Sequence, residues 1–136
     1  MGLTVLDAGV IIAVLDARDA HHLAAIAALR EVLDSEAQLV IPASAYAEAL
    51  VSPSRKGSEA VAVLDAFLDG LPAVVAPATR EIARSAASLR ARHGTRLRLP
   101  DALVLATANV LGAGLVLTTD ARWPAAGLKV RVLRNG

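Results

Sequence analysis

Four carboxylates occupy positions that could serve chemistry. Asp7 ends a short apolar run, Asp120 closes Leu117-Thr-Thr-Asp120, Asp101 opens an apolar segment behind Pro100, and Glu48 lies inside an alanine-rich segment. Three of them also fit plain structural roles. Asp7 can cap the helix that follows it, Asp101 can answer a helix dipole, and Asp120 can start a turn. Glu48 fits none of these, because Ala45, Tyr46, Ala47, Ala49 and Leu50 surround it in sequence, and an unpaired carboxylate in an apolar setting is costly. Clustered carboxylates repel one another unless a cation neutralises them, and hard oxygen donors select Mg2+ or Mn2+. Zinc is poorly served, since it prefers nitrogen and sulfur. The chain has no cysteine and only 3 histidines, of which His21 and His22 read as surface residues at a helix start and His93 as one near a helix end.

The elements that must position these acids are legible from periodicity. Leu3–Leu6, 39–41, 73–75, 115–117 and 129–133 read as short buried strands. Between them lie helical stripes: Ala8–Leu15; Leu23, Ile26, Leu29 and Leu33; 44–51, ended by Ser52-Pro53-Ser54; and Val61, Leu64, Phe67, Leu68 and Leu71. Ile82, Ala86 and Leu89 mark an arginine-rich helix ending near Gly94, and 101–111 is apolar almost all round, so that helix is expected to be buried. Strands that alternate with helices and are nearly continuous in hydrophobicity predict a parallel sheet covered on both faces. Ligands in such sheets bind beyond the carboxyl ends of the strands, where the strand order reverses. If the first and fourth strands are neighbours, Asp7 and Asp120 meet there.

Composition bounds the rest. The 136 residues suit one domain, and apolar residues at 55% with aromatics at 2% mean that alanine, valine and leucine build the core. The longest uncharged stretch, 102–119, carries Thr107, Asn109, Gly112 and Gly114, so it reads as a helix and a strand rather than a membrane span. The first residues have neither a basic region nor a cleavage site, and the default compartment is the cytoplasm. Net charge is +1 but unevenly spread: residues 1–79 hold ten acids and four bases, residues 80–136 three acids and ten bases. Arg90, Arg92, Arg96 and Arg98 run into the loop before Asp101, where they can hold the phosphates of a polyanion such as RNA; a solvated helix face is the plainer alternative. No dinucleotide, nucleotide or serine-hydrolase motif is present.

Leu-Asp7-Ala-Gly-Val-Ile-Ile, Ala-Tyr-Ala-Glu48-Ala-Leu, Leu-Pro-Asp101-Ala-Leu-Val-Leu-Ala and Leu-Thr-Thr-Asp120 resemble, in order and spacing, the four acidic motifs of PIN-domain nucleases. In length the chain is similar to their VapC-type toxins. The resemblance implies a three-layer α/β/α fold over residues 1–136, with a five-stranded parallel sheet ordered 3-2-1-4-5. It implies a Mg2+ or Mn2+ site with Asp7 and Asp101 as ligands, and Glu48 and Asp120 ligating directly or through water. It further implies a metal-dependent endoribonuclease, held in check by a small antitoxin whose tail carries an arginine to the acids, and a homodimer. Apolar helix surface near Leu23, Ile26 and Leu29, or around Val61, Leu64 and Leu68, either serves the antitoxin or the dimer or is ordinary core. Two departures, Gly9 where the family often has a hydroxyl and Arg122 where an acid often follows, predict weaker metal occupancy or a single ion. They leave open a second reading, a catalytically weak RNA-binding or protein-interaction module.

Overall fold

Parallel strands need helical crossovers, and the chain supplies two α-helices between each successive pair of the first four. A computed structural model describes residues 2–134. The strands are β1 (Leu3–Leu6), β2 (Gln38–Pro42), β3 (Ala73–Ala76), β4 (Leu115–Thr118) and β5 (Val130–Val132), all parallel and ordered β3-β2-β1-β4-β5. Six helices flank the sheet: α1 (Ala8–Leu15), α2 (His22–Asp34), α3 (Ala43–Lys56), α4 (Ser58–Asp69), α5 (Arg80–His93) and α6 (Leu99–Leu111). The fold is therefore the expected three-layer sandwich. Among the described residues, no helix is long and apolar enough to cross a membrane.

The central strand β1 is apolar on both faces because helices cover both, and Val5 and Leu6 are buried with Leu39, Val40, Ile41, Val116 and Leu117 around them. A second cluster, built from Ile82, Ala86, Leu89, Leu97, Ala102, Leu105 and Ala106, joins α5 to α6. Register decides where the chemistry falls. Leu6 pairs with Leu117, so the residues that follow, Asp7 and Thr118, stand opposite one another at the carboxyl edge. The order reverses between β1 and β4, which is where such sheets open a crevice. Because α6 leads into β4, its first turn lies at that same edge, and Asp101 sits in it.

Two expectations are corrected. Helix α3 does not stop at Ser52-Pro53-Ser54; it carries Pro53 inside and ends at Lys56, where Gly57 takes φ 129°. A proline costs a helix one hydrogen bond, and here that loss falls in the last turn, near the point where the ladder ends anyway. On α2 the buried face is Ala25, Ala28, Leu29 and Val32, while Leu23 is 80% exposed. The tight α1–α2 packing selects the small residues, so the stripe is rotated from the one drawn by leucine and isoleucine. Of the two stripes left open between docking and core, Leu29, Leu64 and Leu68 belong to the core.

Candidate active site

Asp7 caps α1, with its Oδ1 accepting from the Ala8 backbone N–H at 2.8 Å. Its Oδ2 accepts from the Thr118 hydroxyl at 2.8 Å, across the β1–β4 seam. Thr118 Oγ1 in turn accepts from the Asp120 backbone N–H at 3.1 Å, so one buried hydroxyl ties two of the acids to a single strand end. Burial pushes the Asp7 carboxyl up to about 6, and Asp101 and Glu48 push the same way; the two hydrogen bonds oppose them.

Glu48 corrects the sequence reading. It is exposed on α3, while Ala45 and Ala49 turn inward to the core. Helical rotation separates it from its apolar neighbours in sequence. Partial desolvation still raises its carboxyl above the ordinary value, with Asp101 adding to the effect. Asp101 is half-buried and raised too, first by desolvation and then by Asp120, with Arg98 and Arg122 pulling down. Asp120 is the exception. The Arg122 fork holds it below the usual carboxylate range, through Nε to Oδ1 at 3.1 Å and Nη2 to Oδ2 at 3.1 Å.

Asp101 and Asp120 share a cavity of about 260 Å3 with Thr95, Arg96, Arg98, Arg122 and Trp123. Asp7 and Glu48 lie outside its lining but within electrostatic reach of Asp101. Of the four arginines before Asp101, Arg96 and Arg98 thus reach the acids. Arg92 lines a different cavity with Ser85, Ser88 and Asn109, and Arg90 lies in the last turn of α5. The histidines are less superficial than expected: all three are half-buried, His22 Nδ1 lies 2.6 Å from the Ala13 carbonyl, and His93 Nε2 is buried without a partner.

Carboxylate oxygens crowded enough to raise one another's proton affinity suit a hard cation. Among the described residues no three acids stand close enough to form a ready-made cage. That is compatible with Mg2+, which usually keeps several waters and binds through one or two carboxylates. Gly9 explains one departure from the motif: a Cβ there would collide with Thr119 Oγ1, so a hydroxyl from the β4 side fills the space against the first turn of α1. Sequence reasoning missed Thr118, Thr119 and Trp123. Trp123 spans both cores, and its buried indole N–H makes no well-formed hydrogen bond, yet it lies near enough to Asp101 to favour the ionised form. The run of two threonines before Asp120 was the available signal.

A parallel sheet with acids gathered where its strand order reverses defines the class: an α/β/α domain built around an acidic edge. The PIN-domain family model matches residues 4–128, and the chain belongs to that family. Similar solved structures include a toxin–antitoxin complex from Klebsiella pneumoniae, 20% identical with a TM-score of 0.75, covering 97% of this chain and 98% of that one. VapBC2 from Rickettsia felis, bound to a DNA fragment from its promoter, is 16% identical with a TM-score of 0.76, covering 97% and 99%. VapC20 of Mycobacterium tuberculosis, a toxin that cleaves the sarcin–ricin loop, is 20% identical with a TM-score of 0.66, covering 83% and 86%. No curated sequence matches the chain.

Proposed function

We propose that the chain is a Mg2+- or Mn2+-dependent endoribonuclease, one domain over residues 1–136, and the toxin half of a toxin–antitoxin pair. The observation that carries this reading is electrostatic. Asp7, Glu48 and Asp101 are all held above their ordinary proton affinity beside a cavity that also offers Arg96 and Arg98. Carboxylates perturbed together by desolvation and by one another beside a cavity support a functional site. Membership of the PIN family and the toxin structures that share the fold support the same reading.

Asp7 and Asp101 would hold the cation, with Glu48 and Asp120 reaching it directly or through water. When bound, such an ion lowers the pKa of a coordinated water and neutralises charge developing on a phosphate. Thr118 fixes the Asp7 carboxylate, so that it presents the same face at every turnover. Arg96 and Arg98 hold the RNA backbone beside the acids, which confers affinity without base preference. A small antitoxin protein, a homodimeric assembly and a cytoplasmic location complete the proposal. The grip of Arg122 on Asp120 favours the second reading, a catalytically weak RNA-binding or protein-interaction module, because it removes one acid from service.

Cleavage of a mixed RNA pool decides between them. Activity should vanish in EDTA and return with Mg2+ or Mn2+. Asp101→Asn should lose at least about a hundredfold in rate while keeping its circular dichroism spectrum and melting temperature. A folded wild-type protein that binds RNA and never cuts it under any divalent ion would leave the second reading standing.

A further inference from the structure

Arg122 engages Asp120 three times: with its backbone N–H at 2.9 Å to Oδ1, and with the two side-chain bonds already described. Both carboxylate oxygens are thereby taken by one residue. Among the described residues, Asp7, Glu48 and Asp101 form no ion pair at all. The guanidinium is nonetheless at the rim, since the Arg122 side chain is 84% exposed while that of Asp120 is 22% exposed. A guanidinium has five N–H donors, and two of them serve Asp120, so three remain for another anion at the cavity that Arg96 and Arg98 also line.

Such a fork fits phosphate as well as it fits carboxylate. An ion pair this open to water is weak, so exchanging one anion for the other is cheap. We propose that Arg122 is an exchange residue: in the free protein its guanidinium holds Asp120, and an RNA phosphate entering the cavity draws that guanidinium away, freeing Oδ2 for the cation and leaving Oδ1 with the backbone N–H alone. Substrate and metal then reinforce each other, and by linkage each raises the affinity of the other by the same factor. A free protein with a poorly filled metal site becomes competent only where RNA is present. The inference rests on the nuclease reading and adds a residue that the acidic motifs do not include.

The decisive experiment is free of metal. Binding of a short fluorescein-labelled single-stranded RNA is measured in EDTA by anisotropy for wild type, Asp120→Asn, Arg122→Ala and the double variant. Removing Asp120 relieves repulsion of RNA in either background, but it liberates a phosphate-binding guanidinium only where Arg122 is present. The gain from Asp120→Asn should be about threefold to fivefold larger with Arg122 than with Ala at that position. Equal gains in the two backgrounds overturn the exchange. A second measurement uses Mn2+ alone, followed by water proton relaxation. Arg122→Lys keeps the charge but loses the fork, and should bind Mn2+ about threefold more tightly than wild type; unchanged affinity overturns the proposal. If none of the four proteins binds RNA in EDTA, the exchange is overturned and the nuclease reading stands or falls on the cleavage assay alone. If RNA binds and only the difference between backgrounds is missing, the nuclease reading survives alone.

Discussion

Asp7 shows what a single carboxyl costs when its site is built for something other than stability. Only 8% of the residue is exposed, and its proton affinity rises from 3.8 to about 6. The folded chain therefore holds that proton more tightly than the unfolded chain does. Its contribution to stability is complete below the unfolded value and is lost as pH rises through about 6, so at neutral pH the ionised group opposes folding by something on the order of 2–3 kcal/mol. Asp7→Asn should accordingly melt higher than wild type at about pH 7.5 in chelator, and the difference should shrink towards about pH 4. An amide still accepts from Ala8 and donates towards Thr118, so the local geometry has no reason to collapse. Parallel melting curves for the two proteins across that range would show that the burial penalty is absent. Stability gained by removing a carboxylate is the usual signature of a site selected for function.

At the level of elements, α6 and its exit matter most, because α6 carries Asp101 and leads directly into β4. Gly112 ends the helix in the left-handed region, with φ 69° and ψ 36°, and its N–H returns to the Ala108 carbonyl. Nothing lies within 4 Å of the place a Cβ would take, so the demand there is purely conformational. Gly112→Ala should cost about 1 kcal/mol, read as a lower urea midpoint at unchanged slope. A larger loss with a changed slope would mean that the turn does more than end a helix. The sequence announced this helix, its glycine stop, the five strands and their parallel arrangement, because strand hydrophobicity and helix punctuation are local signals. It was silent on rotation. Alanine is small enough for either side of a helix, so α2 buries Ala25 and Ala28 and leaves Leu23 in water. The same blindness made Glu48 look buried among its neighbours on α3. Three of the four acids needed only strand ends and helix starts to be placed at one edge; the Thr118 contact to Asp7 needed register, which no single segment contains.

Across the whole molecule, acids dominate the first 79 residues and bases the remainder, yet the fold brings Arg96 and Arg98 to the acidic edge. Expression of the chain alone should arrest bacterial growth, and co-expression of its neighbouring small gene should restore it; harmless accumulation of folded, metal-competent protein would sink the toxin reading while leaving the nuclease one. The hydrogen bond from Thr118 to Asp7 adds a consequence in time. It joins residues 111 positions apart, between the first strand to be synthesised and the fourth. At about 5–20 residues per second, a ribosome that has made Asp7 needs on the order of ten seconds more before the other half of the seam exists. Until then β1 lacks β4, Asp7 has no hydroxyl to hold it, and Asp120 is not yet made. The acidic edge is therefore complete only after β4 and Asp120 have been made.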